Sequence, residues 1–143
     1  MKLIISTIVG AIIFFVLGWI LYGMIFMNFF RVHYGAIMRS PDDYKMWAIL
    51  VANVLEAFFL AWIYPKGYKG GSPAGEGFKF GFYIGLLMAV PYVFYTWAEF
   101  PITYVTAIVD AIIMFVMVVI VGLVIGLIYG KGAGKEVPKE TTA

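Results

Sequence analysis

Two carboxylates within apolar stretches are the residues of this sequence best placed to do chemistry. Glu56 lies in the apolar stretch 51–62, and Asp110 lies in the apolar stretch 108–115. An ionisable side chain at the centre of a bilayer costs at least about 2.5–3.5 kcal/mol on the insertion scale, so such groups usually face inward and find partners. These two acids are therefore the first candidates for a functional site.

The composition is that of a membrane protein. Of the 143 residues, 64% are hydrophobic and 13% are charged, whereas about a quarter of the residues in a soluble domain are charged. Four apolar runs each reach about the 20 residues that a bilayer-spanning helix requires. We therefore predict an all-α fold, a four-helix transmembrane bundle in one domain over residues 1–130, with helices over residues 3–28, 41–64, 78–98 and 101–129. A polar cytoplasmic tail over residues 131–143 follows it.

The distribution of basic residues predicts the orientation. Four spans place both termini on one side of the membrane. That side, with the long loop, carries seven lysines, whereas the other side carries Arg31, Arg39 and Lys45. The positive-inside rule then predicts an up-down-up-down bundle in the inner (cytoplasmic) membrane, with both termini in the cytoplasm.

Other polar side chains are predicted at the depth of the two acids. At about 1.5 Å per residue, Glu56 and Asp110 both lie about 13–15 Å from the outer ends of their predicted helices. Pro91 is expected to bend the third helix and free a backbone carbonyl, since proline has no N–H to donate. Helical spacing adds four side chains to a possible polar cluster, namely Asn53, Thr106, Tyr92 and Tyr95.

The acids have three open interpretations. No lysine or arginine lies inside the apolar runs 3–27, 46–64, 80–98 and 102–129, so there is no internal counter-charge at that depth. The acids could be protonated and hydrogen-bonded for packing, could handle a proton or cation, or could contact a partner protein or ligand.

Glycines at every fourth position predict close helix packing. They occur in the third predicted helix and its approach, at Gly77, Gly81 and Gly85, and at the end of the fourth, at Gly122, Gly126 and Gly130. In lipid, small residues at this spacing let helix backbones approach closely. We expect a tight contact between these two helices, with a docking face for another subunit as the alternative.

The sequence offers little for catalysis or cofactor binding. It has no cysteine, and its serines lie in no nucleophile motif. His33 is the only histidine, so it is a weak candidate for a metal or pH-sensing site with Asp42 or Asp43. We predict no enzyme activity, no cofactor, no metal site and no nucleic-acid partner.

The first predicted helix carries a family resemblance. Its stretch Gly10-Ala-Ile-Ile-Phe-Phe-Val-Leu-Gly-Trp-Ile-Leu-Tyr-Gly23, followed by three more spans and a glycine-rich last helix, resembles small bacterial four-helix membrane proteins of unknown function. The resemblance implies a four-helix topology and no activity.

Three functions remain open from the sequence. The first is a non-enzymatic accessory or oligomerising subunit of a membrane assembly, with Glu56 or Asp110 holding a polar contact to a partner or a second copy. The second is a small proton- or cation-handling transporter or channel-like protein that uses Glu56, Asp110 and Asn53. The third is a bundle that binds lipid or a hydrophobic ligand, with Pro91 shaping its pocket.

Overall fold

The computed structural model describes residues 1–130, which are mainly helical and contain no strand. The predicted polar tail, 131–143, lies outside the described residues. The helices are α1 (Lys2–Ile20), α2 (Met27–Tyr34), α3 (Met46–Gly67), α4 (Pro73–Glu99) and α5 (Tyr104–Gly130). A π-helical turn, Leu21–Ile25, joins α1 to α2, and two 3₁₀ turns, Gly35–Ile37 and Pro41–Asp43, lead to α3.

Four helical segments are long and apolar enough to cross a membrane. They are Lys2–Ile25, Met46–Gly67, Pro73–Glu99 and Tyr104–Gly130. Many of their large apolar side chains face outward, such as Trp19, Leu87 and Phe94, each at least 65% exposed. An apolar exterior on all four segments indicates a multi-pass helical membrane protein.

The first predicted helix is interrupted where the sequence suggested continuity. Residues 3–28 were expected as one helix, but the α-helical part ends at Ile20. The Phe26 amide then donates to the Leu21 carbonyl at 2.8 Å, a bond between residues five apart. Such a π-helical turn shifts the side chains that follow it around the axis, and π turns are frequent at functional sites.

Three other helix starts differ from the predicted ones, and one of them is that of α5, which begins at Tyr104 rather than residue 101. Ser40 precedes only a 3₁₀ turn and makes no capping bond, and α3 begins at Met46 rather than residue 41. A helix-capping bond forms instead at Ser72, where the hydroxyl accepts from the Gly75 amide and Pro73 follows as the first helical residue. Helix α4 therefore begins at Pro73, five residues before its predicted start, because a proline at the first helical position suits the helix geometry.

Helix α3 continues past Pro65 because another helix satisfies the carbonyl that this proline frees. Proline has no N–H, so the Ala61 carbonyl four residues earlier loses its helical donor. The Tyr129 hydroxyl on α5 donates to that carbonyl at 2.8 Å. The predicted end at residue 64 is thus extended to Gly67 by a tertiary contact.

Helices α4 and α5 approach each other backbone to backbone. A Cβ built on Gly122 would lie 2.6 Å from Gly81 Cα, and one built on Gly126 would lie 2.5 Å from Gly77 Cα. Residue numbers rise along one helix as they fall along the other, so the two helices are antiparallel in this contact. Only glycine permits this separation, since any side chain would overlap the opposite backbone.

Helix α5 lies at the centre of the packing. It contacts α1, α3 and α4, and it supplies three fully buried apolar side chains, Val118, Val121 and Ile125. Phe14 of α1 is 1% exposed and joins the same apolar core. Residues on α5 therefore have partners from several helices, and Asp110 is one of these residues.

Gly122→Ala tests the close contact. Its methyl group would overlap Gly81, so we expect a loss of about 1–3 kcal/mol in unfolding free energy from overpacking. Reversible unfolding of the purified protein in detergent measures it. The matched control is Gly18→Ala, whose Cβ would meet only Met117 Cε at 3.7 Å. That control should be neutral or stabilise by up to about 1 kcal/mol, and equal losses in both variants would contradict the packing explanation.

Candidate functional site

Asp110 accepts hydrogen bonds from three tyrosines. The Tyr22 hydroxyl donates to Oδ1 at 2.6 Å. The hydroxyls of Tyr34 and Tyr92 donate to Oδ2 at 2.8 Å and 2.9 Å. Asp110 itself is 8% exposed. We call Asp110, Tyr22, Tyr34 and Tyr92 the Asp110 cluster.

Four different parts of the fold supply this cluster. Tyr22 lies in the π-helical turn after α1, Tyr34 is the last residue of α2, Tyr92 follows Pro91 in α4, and Asp110 lies on α5. The chain breaks helical geometry at Phe26, so α2 departs from the line of α1 and Tyr34 also reaches Asp110. Without that break, a continuous helix would carry residue 34 about 18 Å beyond residue 22.

Phe30 holds two of the tyrosine rings. Its ring centroid lies 5.2 Å from that of Tyr22 and 5.7 Å from that of Tyr34. Phe30 is 3% exposed, so its ring is a buried support for both tyrosines. Burial, and next the adjacent Asp110 carboxylate, raise the pKa of Tyr34 well above its ordinary value, and its hydroxyl therefore remains a donor at neutral pH.

The hydrogen-bond inventory matches an ionised carboxylate. A carboxylate is an acceptor with about four lone-pair positions, and three phenol donors leave one position open. The donors replace the water that the group loses on burial, which limits the penalty of a buried polar group. A proton or a cation can then add to the open position of Asp110 without displacing the tyrosines.

The cluster lines a cavity, and a second cavity adjoins it. The first, the acid cavity, is about 360 Å³ and has Asp110, all three tyrosines, Phe30 and Phe100 in its wall. The second, the apolar cavity, is about 310 Å³ and is lined mainly by aromatic and aliphatic side chains of α1, α2 and α3. Tyr22, Phe30 and Met38 belong to both walls, so the two spaces are adjacent.

Glu56 is placed apart from Asp110. It lies about ten residues, or about 15 Å, along α3, whereas Asp110 lies about six residues, or about 9 Å, along α5. Glu56 is half-buried, and neither cavity has it in its wall. Its carboxyl group makes no hydrogen bond to any residue of the described range 1–130, so the structure brings only one of the two acids into a polar cluster.

The other candidate residues from the sequence lie in different environments. Tyr92 is in the cluster, whereas Tyr95 is 67% exposed. Thr106 is fully buried and shares a 2.9 Å hydrogen bond with Thr103 rather than with Asp110. Asn53 lines the apolar cavity. Pro91 lies within α4, which continues through it to Glu99.

His33 does not meet the acids of the nearby loop. Its Nδ1 donates to the Phe29 carbonyl at 2.7 Å. Asp43 instead accepts from Lys45 at 2.6 Å and Arg39 at 2.7 Å, and these bonds, that of Lys45 first, hold the pKa of its carboxyl below its ordinary value. Among residues 1–130 there is no group of three or more His, Cys, Asp or Glu side chains that could hold a metal ion.

Sequence reasoning did not find Tyr22 and Tyr34. Tyr22 lies toward the far end of the first predicted helix, and Tyr34 lies beyond it, so neither was placed with the two acids. The available signal was Asn28 together with the polar residues that follow it, Arg31 and His33, which end the apolar run and favour a break in the helix. The direction in which the chain turns after that break depends on packing against α5.

Comparisons with known proteins found no match for this chain. The chain matches no protein-family model, no curated protein and no solved structure. The resemblance of the first helix to small bacterial four-helix membrane proteins therefore stays a prediction.

Removing one tyrosine hydroxyl tests the cluster. Tyr92→Phe keeps the ring and deletes one donor to Asp110, so we expect a loss of about 1 kcal/mol in unfolding free energy, as for other hydrogen bonds between membrane helices. Tyr95→Phe, on the same helix but exposed, should stay within about 0.5 kcal/mol of wild type. The double variant Tyr92→Phe with Asp110→Asn should be non-additive, because the two groups touch. Additive losses would contradict the hydrogen bond.

Proposed function

We propose that this protein is a non-enzymatic, cation-handling membrane protein whose binding group is Asp110. The observation that carries the proposal is a buried carboxylate that accepts three phenol hydrogen bonds, lines a cavity and has no basic side chain beside it. A structural carboxylate does not need to border a cavity. An intramembrane acid that faces open space is the usual arrangement for proton or cation pathways.

The charge that the site handles is positive. No lysine, arginine or histidine of the described residues lines the acid cavity. The ionised carboxylate therefore lacks a counter-charge, and a proton or a cation supplies it. Binding of the cation removes the cost of an uncompensated charge in an apolar surrounding, which makes Asp110 a favourable but reversible site.

The orientation proposed with this function is an up-down-up-down bundle in the cytoplasmic membrane, with both termini inside the cell. Two observations support it. The Lys2 ammonium group donates to the Tyr129 carbonyl at 2.9 Å, so the start of α1 meets the end of α5. Lys66, Lys69 and Lys79 lie near the junction of α3 and α4, where the positive-inside rule expects cytoplasmic charge. The acid cavity would then open toward the outer side.

A second candidate function is that of an accessory or oligomerising subunit, and Glu56 favours it. This acid has no hydrogen-bond partner within residues 1–130, and its neighbours on α3 include the exposed apolar side chains Leu55 and Phe59. A half-buried carboxyl group beside exposed apolar side chains is costly in lipid unless a neighbouring molecule supplies a partner. A second copy of the chain or another membrane subunit would do so.

Asp110→Asn separates the two candidates when it is compared with Glu56→Gln. We expect Asp110→Asn to abolish proton or cation flux in proteoliposomes, because the amide cannot carry the charge. Glu56→Gln should retain flux. Both substitutions are close to isosteric, so size-exclusion chromatography and thermal unfolding check that each variant is folded. Flux that survives Asp110→Asn in full would refute the cation-handling proposal.

Native mass tests the subunit candidate independently. If Glu56 holds a polar contact with a partner, Glu56→Gln should lower the assembly's resistance to detergent, while Asp110→Asn should leave it unchanged. Native mass spectrometry of the protein extracted gently from its own membrane gives the stoichiometry and the companions. A monomer in wild type and both variants would exclude this second function.

A further inference from the structure

We propose that the cation taken by this site is organic and lipophilic: a monocation with aromatic or alkyl groups, whose charge rests at Asp110 and whose apolar body occupies the apolar cavity. This inference rests on the proposed function and names its substrate class. It depends on the two adjoining cavities, which have different chemistry and share three side chains.

The acid cavity favours a large organic cation over a small divalent metal ion. Hard cations such as Ca²⁺ and Mg²⁺ take six or more oxygen ligands from carboxylates, carbonyls and water. Here the oxygens are those of one carboxylate and three phenols, with the Thr96 hydroxyl nearby in the wall. Thr96 Oγ1 donates to the Tyr92 carbonyl at 2.7 Å, and one carboxylate among neutral hydroxyls leaves a divalent ion with an uncompensated charge. The remainder of the wall is apolar, including Phe30, Phe100 and Ile37.

Aromatic rings surround the carboxylate. Tyr22, Tyr34, Tyr92, Phe30 and Phe100 all line the acid cavity together with Asp110. The three tyrosines direct their hydroxyls at Asp110, so their rings provide apolar surface around a charged centre. A carboxylate in this surrounding combines charge attraction with contact to the alkyl or aryl groups that carry the charge.

The apolar cavity provides the space for the body of such a molecule. Its wall includes Phe14, Phe15, Trp19 and Met117. Only uncharged polar side chains join them, those of Tyr22, Tyr44 and Asn53. Its volume of about 310 Å³ falls within the range of about 300–1,000 Å³ that is usual for small-molecule pockets.

Within residues 1–130, the walls of the two cavities together contain one charged side chain, that of Asp110. Neither wall contains a basic side chain or a second acid among the described residues. The pair therefore complements a single positive charge attached to an apolar body. The shared residues Tyr22, Phe30 and Met38 lie where the charged and apolar parts of such a molecule meet, and Met38 is an unbranched side chain that adapts to different shapes.

The test uses two probes of the same shape and opposite charge, tetraphenylphosphonium and tetraphenylborate, with the full chain purified in detergent. Isothermal titration calorimetry should give saturable binding of the cation at one site per chain and no such site for the anion. Asp110→Asn should weaken cation binding about ten-fold or more, because the charge contact lies in a water-poor site. Glu56→Gln should bind like wild type.

A cavity-filling variant tests the role of the apolar cavity. Gly18 lines this cavity, so Gly18→Leu should weaken tetraphenylphosphonium binding although it leaves Asp110 and its three donors in place. The inference is overturned if both probes bind equally to wild type, or if the cation does not bind although flux depends on Asp110. Asp110-dependent cation binding without any flux would support the substrate class and refute transport.

Discussion

The constraint on which the structure depends is the burial of one carboxylate inside an apolar bundle. Asp110 is 8% exposed and lies on the helix that contacts most of the others. A buried acid without partners is strongly destabilising, so the fold must deliver donors to it. It does so from three separate segments, through Tyr22, Tyr34 and Tyr92. The π-helical turn, the break at Phe26 and the short helix α2 all serve this convergence, since an unbroken first helix would bring only one of the two N-terminal tyrosines to the site.

The rest of the packing places α5 where this convergence is possible. Glycines bring α4 against α5 at backbone contact, and Tyr92 on α4 is thereby within reach of Asp110. Tyr129 on α5 compensates the carbonyl that Pro65 frees in α3, so α3 keeps its length beside α5. In both cases a contact with α5 decides where another helix lies or how far it extends. Small residues, which allow close approach, and single polar bonds replace the hydrophobic effect as the means of association in lipid.

The two acids illustrate that residue type and depth do not by themselves define a site. Both Glu56 and Asp110 interrupt apolar runs, and the sequence suggested that they lie at one level. In the structure Asp110 has three donors and a cavity, whereas Glu56 is half-buried on α3 without a partner among residues 1–130. The first arrangement supports reversible binding of a positive charge. The second supports contact with another molecule. The proposed cation site and the proposed partner contact therefore lie on different helices, α5 and α3.

The sequence alone determined that this chain is helical, with four segments long and apolar enough to cross a membrane, because in lipid a helix lets such a run satisfy its own backbone hydrogen bonds. It also indicated Asp110, Tyr92 and the glycines at every fourth position, since a charge in an apolar run and a four-residue repeat can be recognised directly from the sequence. Only the tertiary structure decided that Tyr22 and Tyr34 complete the cluster and that Glu56 does not join it. Those outcomes depend on where the chain turns after Phe26 and on which helix faces meet, and the free energies of these long-range contacts are not encoded in local periodicity.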